Sequence, residues 1–152
     1  MRSKKIAEKN ILEYKNINSL VPGKSIGVFV LGSSIKDYDS RADCEHVIFD
    51  LIEDGGDWYN FLGGSISVWL DNGIIDAISC CNDLYIDGVN IIGMNINKFI
   101  KRFNVEVDTC ELDYQYLEPL NRHRQYCWYF KEYPEMSLWT WRNSIINIMI
   151  SR

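Results

Sequence analysis

The chain reads as an α+β protein built mainly from antiparallel β-sheet with a few short helices. Three observations predict this. A turn pair, Asn72-Gly73, sits between two runs rich in isoleucine and valine, SISVWL and IIDAISC. Asn-Gly accepts the positive φ angles of a two-residue hairpin turn. Short apolar or alternating segments recur along the chain, punctuated by Gly, Asn and Pro. Finally, one sequence unit is met twice, first over about residues 24–81 and again over about 88–151.

In chain order, residues 4–17 place Ile6, Ile11, Leu12 and Tyr14 among charges as a weakly amphipathic helix, ended by Pro22-Gly23. Ser25 to Leu31 reads as a buried strand. Gly32 breaks it, and Ser34 is placed to cap a short helix from Ile35. Residues 45–52 alternate as a strand, residues 53–56 turn, and Trp58 to Leu62 forms another strand before Gly63-Gly64. In the hairpin that follows, the turn pairs Leu70 with Ile75, Val68 with Ala77 and Ile66 with Ser79. That register leaves Trp69, Ile74 and Ile78 on a second face, to be covered by a helix of the chain, which is the expected cover, or by a partner.

Further along, Asp87-Gly88 turns into a strand from Val89 to Ile92. Gly93 breaks it, and Asn95 caps a helix running to about Phe103. Val105 to Cys110 is strand-like, and Gln125 to Lys131 alternates aromatic residues. Tyr133-Pro134-Glu135 turns, Leu138 to Trp141 extends, Asn143-Ser144 turns again, and Ile145 to Ile150 closes the chain.

The repeat rests on two alignments. LGSSIKDY (residues 31–38) matches IGMNINKF (92–99), and NGIIDAIS (72–79) matches NSIINIMI (143–150). Both matches occur in the same order, which predicts two tandem helix-plus-meander units within a single domain spanning residues 1–152. Two such units pair most simply into one antiparallel sheet with its helices on one face, leaving the other face for a partner or for a long N-terminal segment to pack against.

Composition narrows the function. A net charge of −5 with no basic stripe argues against nucleic acid. No window approaches the length of a membrane span, and the first residues lack the apolar run of a signal peptide. Five irregularly placed cysteines fit a reducing cytoplasm better than a disulfide scaffold. Of the two histidines, His46 lies near Cys44 and His123 near Cys127. A small cytosolic hydrolase using such a Cys/His pair is the enzymatic alternative. Neither pair has the ligand spacing of a metal site, and no phosphate loop, nucleophile elbow or dinucleotide fingerprint is present. The expectation is a non-enzyme without catalytic residues, metal or cofactor.

The most informative stretch is acidic. Asp37, Asp39, Asp43, Glu45, Asp50, Glu53, Asp54 and Asp57 face only Lys36 and Arg41, and Trp58 and Tyr59 follow. Acids beside large aromatics suit an interface for a basic protein. The expected partner-binding residues are therefore Asp37, Asp39, Glu45, Asp50, Glu53, Asp54, Asp57, Trp58 and Tyr59.

In these general features, and in LGSSIKDY, DLIEDGGDWYNF and GGSISVWLDNGIIDAISC, the chain resembles the immunity proteins of bacterial contact-dependent growth inhibition and related polymorphic toxin systems. The resemblance implies a cytoplasmic protein that binds one cognate toxin domain, often a nuclease, and blocks it. The tandem unit is also similar to the β-lactamase inhibitor proteins and the small outer-membrane assembly lipoproteins, which makes an envelope assembly factor a further alternative. Those families are exported, and no signal peptide or lipobox cysteine is seen here.

Overall fold

A computed structural model of the chain describes residues 19–48, 57–114 and 124–152. Most of these residues form antiparallel sheet. The amphipathic segment expected over residues 4–17 lies outside the described residues.

The main sheet has eight strands: β4 (Glu45–Ile48), β5 (Asp57–Phe61), β6 (Ile66–Asp71), β7 (Ile74–Cys80), β10 (Val107–Tyr114), β11 (Arg124–Phe130), β12 (Tyr133–Trp141) and β13 (Ser144–Ser151). They lie in the order β10-β11-β12-β13-β7-β6-β5-β4, all antiparallel. Two four-strand meanders therefore meet through their last strands, β7 and β13. The edges are β4 and β10.

One face of this sheet is covered. The cover consists of β1 (Leu20–Val21), β2 (Ser25–Ile26), β3 (Phe29–Val30), β8 (Tyr85–Ile86), β9 (Val89–Asn90), a 3-10 turn at Ile35–Asp37 and helix α1 (Ile96–Phe103). From the cover, Ile26, Phe29, Leu84, Ile91, Ile96 and Phe99 pack onto Phe61, Ile66, Val68, Ile75, Ile78, Phe130, Leu138, Ile145, Ile148 and Ile150 of the sheet, all fully buried. Side chains alternate between faces along a strand, so this core takes only alternate residues of each strand. Among the described residues no helix is long and apolar enough to cross a membrane.

Local chemistry explains the short elements. Ser34 Oγ accepts a hydrogen bond from the Lys36 N–H (3.2 Å), and Asn95 Oδ1 accepts one from the Asn97 N–H (2.9 Å). Both are N-caps satisfying donors that the helix start leaves open. The Ser34 cap begins only three residues of 3-10 helix, whereas the Asn95 cap begins the eight-residue α1. The expected strand from Ser25 to Leu31 is instead a tight hairpin, because Gly27 takes a φ of +58° and turns β2 back as β3.

The Asn72-Gly73 turn forms as expected, with φ values of +51° and +76°. Its register departs from expectation at a β-bulge on β7. Leu70 pairs with Ile75, but Trp69 then pairs with Ala77, Val68 with Ile78, Ser67 with Ser79 and Ile66 with Cys80. Asp76 is the extra residue. A bulge redirects the side chains beyond it, so Ile78 joins the core instead of facing outward beside Trp69. The bulge also turns the Ile75 backbone toward the cover: its N–H donates to the Ser33 carbonyl (2.9 Å) and its C=O accepts from the Gly32 N–H (2.8 Å).

The second hairpin carries the same device. Its bulge lies between Trp139 and Thr140 in the register, and the Ile145 backbone bonds Met94 and Gly93 in the same way, at 2.9 and 2.7 Å. The turn itself is Arg142-Asn143, at φ +50° and +64°, one residue earlier than the expected Asn143-Ser144. Tyr133-Pro134-Glu135 is not a turn but the start of β12. The register jumps there from Tyr129↔Ser137 to Phe130↔Tyr133, leaving Pro134 where no ladder donor is required.

A candidate protein-binding face

The face of the sheet that none of the described elements covers can be read from the register. Residues alternating with the core place Trp58 on β5, Ser67 and Trp69 on β6, Ala77 and Ser79 on β7, Asn147 and Met149 on β13, and Ser137, Trp139 and Trp141 on β12. Cys127 and Tyr129 on β11, and Thr109, Glu111 and Asp113 on β10, complete it. Every tryptophan except Trp128 stands on this face, and each of them is half-buried. Trp128 points to the covered side, where its indole N–H donates to Thr140 Oγ1 (2.9 Å).

The face is densely built. Ser137 lies between Met149 and Tyr129, and Cys127 between Glu111 and Trp139; both small side chains are buried. Across β5 and β6, Trp58 and Trp69 stand opposite one another with ring centroids 6.4 Å apart. Next to them Ser67 Oγ donates to Asn60 Oδ1 (2.7 Å). At the other end the Trp139 indole N–H donates to Asp113 Oδ2 (3.0 Å), and the Arg142 guanidinium lies 4.4 Å above the Trp141 ring. These contacts hold the indoles in fixed orientations.

The acidic stretch singled out from sequence is divided by the fold. Glu45 and Trp58 do fall on the open face, on β4 and β5. Tyr59 points the other way; it stacks on His46 at 4.2 Å and packs against the core. Asp37 ends the 3-10 turn and Asp39 follows it, both exposed but in the covering layer. Asp50, Glu53 and Asp54 lie outside the described residues, as does the side chain of Asp57.

Asp43, in the same acidic run, is structural. Arg41 grips it through two hydrogen bonds of 2.8 Å, and its carboxylate also accepts the Leu62 N–H (3.3 Å). The Arg41 hydrogen bond is the main reason its carboxyl is held below the usual range. The same guanidinium lies over the Phe29 and Phe61 rings, at 5.1 and 5.6 Å. The pair thus clamps the cover to the sheet.

The thiols of Cys44 and Cys127 are both shifted upward. Burial pushes the Cys44 thiol up, and Asp39 and Asp43 add to this. Burial also raises Cys127, and pushes Cys80 up to about 11. A nucleophilic cysteine needs the opposite shift. His123 lies outside the described residues. Among those described, no three His, Cys, Asp or Glu side chains are grouped to hold a metal ion.

Trp69 was expected beneath a helix, but no described helix lies on its face of the sheet; Trp139, Trp141, Tyr129, Met149, Glu111 and Asp113 were not named as binding residues from sequence. Alternation within TCELDY and SLWTW carries the signal, but only the bulges and the strand order unite these residues on one surface. Comparison with family models, curated proteins and solved structures finds no match to this chain.

Proposed function

We propose that this protein is a binding module that neutralises a cognate bacterial toxin domain by occluding it with the open face of its sheet. The observation that carries the reading is the placement of Trp58, Trp69, Trp139 and Trp141 on one sheet face. The free face of an antiparallel sheet is ordinarily polar. Half-buried indoles there are the residues that dominate protein–protein binding energy, each worth about 2 kcal/mol or more when it is an anchor. Glu45, Glu111 and Asp113 on the same face favour a basic partner, whose encounter they speed. The toxin assignment draws on the resemblance to immunity proteins. The protein acts in the cytoplasm, by contact alone and without a cofactor.

The architecture behind this face is read as two copies of one unit. Supporting it are the paired hairpin bulges, the shared bonds from Gly32 and Gly93 to Ile75 and Ile145, and the two side-chain N-caps. The covers differ, one carrying a 3-10 turn and the other an α-helix.

The test is co-expression with the product of the neighbouring upstream reading frame. Relief of that product's toxicity and co-purification of the two chains are expected. The Trp69→Ala/Trp139→Ala variant should fold yet fail to protect. Unchanged protection by that variant would remove the open face from the account, and no protection by the wild type would remove the toxin.

A further inference from the structure

Independently of what the open face binds, we infer that Asn72 is a modification site: it deamidates through the Gly73 backbone nitrogen, and the isoaspartate so formed unfastens the first cover from its hairpin. Asn72 and Gly73 make the turn between β6 and β7, at φ +51° and +76°. Asn72 is exposed. Among the described residues neither its side-chain amide nor the Gly73 N–H has a hydrogen-bond partner. Nothing lies within 4 Å of where a Gly73 Cβ would stand, so the nitrogen is open to approach. Turn types I′ and II′ both take positive φ at the first turn residue, so Asn72 can rotate about its Cα–C bond without undoing the hairpin.

The chemistry needs only water and base. Hydroxide removes the Gly73 amide proton, the nitrogen forms a bond to Asn72 Cγ, and the side-chain nitrogen leaves as ammonia. Water then opens the resulting succinimide at either carbonyl. Opening at the former side-chain carbon gives aspartate. Opening at the main-chain carbon gives isoaspartate, whose chain runs through Cβ and Cγ and is one methylene longer.

Other asparagines are held differently. Asn60 Oδ1 accepts from Ser67, Asn90 Oδ1 from the Leu84 and Ile92 N–H groups, and Asn95 Oδ1 from the Asn97 N–H. Asn143 is the counterpart in the second hairpin and is equally exposed. The nitrogen it would need belongs to Ser144, which carries a side chain and stands in the β13 ladder opposite Trp141. The structural consequence is also local to the first hairpin. Gly73 C=O accepts the Ile35 N–H (3.0 Å), and Ser34 bridges Ile74 beside it. A turn one methylene longer moves that carbonyl off Ile35 and releases the 3-10 turn.

The test ages the full-length chain at mildly alkaline pH and follows it by peptide mass mapping, with fragmentation that tells isoaspartate from aspartate. The mass rise of an amide-to-acid exchange should come first at Asn72, well before Asn143, with isoaspartate among its products. In the isoaspartate form the Ile35 amide should lose its slow hydrogen exchange. Asn72→Asp, which adds the charge without lengthening the chain, should keep it. Conversion of Asn143 at the same rate, or an Asn72 that stays intact while a synthetic peptide spanning residues 69–76 converts, would overturn the site. Slow Ile35 exchange in the isoaspartate form, or its loss in Asn72→Asp, would overturn the unfastening.

Discussion

The two meanders share a backbone plan and differ in what they do with it. In the first, β4 to β7 are closed by Phe29 against Phe61 (4.6 Å) and by the Arg41–Asp43 clamp beside them. In the second, β10 to β13 are closed by helix α1, with Phe99 against Phe130 (5.7 Å). Among its described residues the first half has no full helix and uses a guanidinium stacked on two phenyl rings. Both open faces carry tryptophans and carboxylates, Glu45 in the first half and Glu111 with Asp113 in the second. The covered faces therefore solve one packing problem in two ways.

The largest expected effects break the two cores in parallel. Phe61→Ala and Phe130→Ala should each cost about 3–5 kcal/mol by urea unfolding, since both rings are fully buried. A much smaller loss for Phe61→Ala would mean that the clamp, not the ring, closes the first half.

The caps should separate the halves. Asn95→Ala removes the cap of an eight-residue helix and should cost about 1 kcal/mol, with Ser34→Ala costing about half that. Equal losses would contradict the claim that the first half does not depend on helix.

Acid should find the first half before the second. The Asp43 carboxyl is held low by Arg41, so its stabilising contribution is present above the unfolded value of about 4 and fades as pH falls through the lower folded value. Stability measured downward from pH 5 should fall less steeply in Asp43→Asn than in wild type. Parallel curves would assign the acid loss elsewhere.

The smallest effect compares the two turns. Gly73 and Asn143 both hold positive φ, at +76° and +64°. Asn143→Gly should gain, and Gly73→Asn should lose, about 0.5 kcal/mol by thermal unfolding.

What was legible in the sequence was local. Asn72-Gly73, the Ser34 and Asn95 caps and the sheet-rich class follow from chemistry within a few residues. The bulges do not, because the Ile75 backbone there bonds Gly32 and Ser33, far away in the chain. Missing them placed Ile78 on the wrong face. The acidic stretch misled for a related reason. Its densest part includes Asp43, which is used internally, and Tyr59, which alternation turns inward from Trp58. Of the residues first named, Trp58 and Glu45 lie on the open face, while Asp37 and Asp39 do not.

The central claim is that the tryptophan face is where a partner lands, and the five indole signals test it most directly. On adding the cognate toxin domain, the signals of Trp58, Trp69, Trp139 and Trp141 should shift or broaden. Trp128, bonded to Thr140 on the covered side, should stay in place. Shifts confined to Trp128, or binding that leaves all five signals unmoved, would contradict the account.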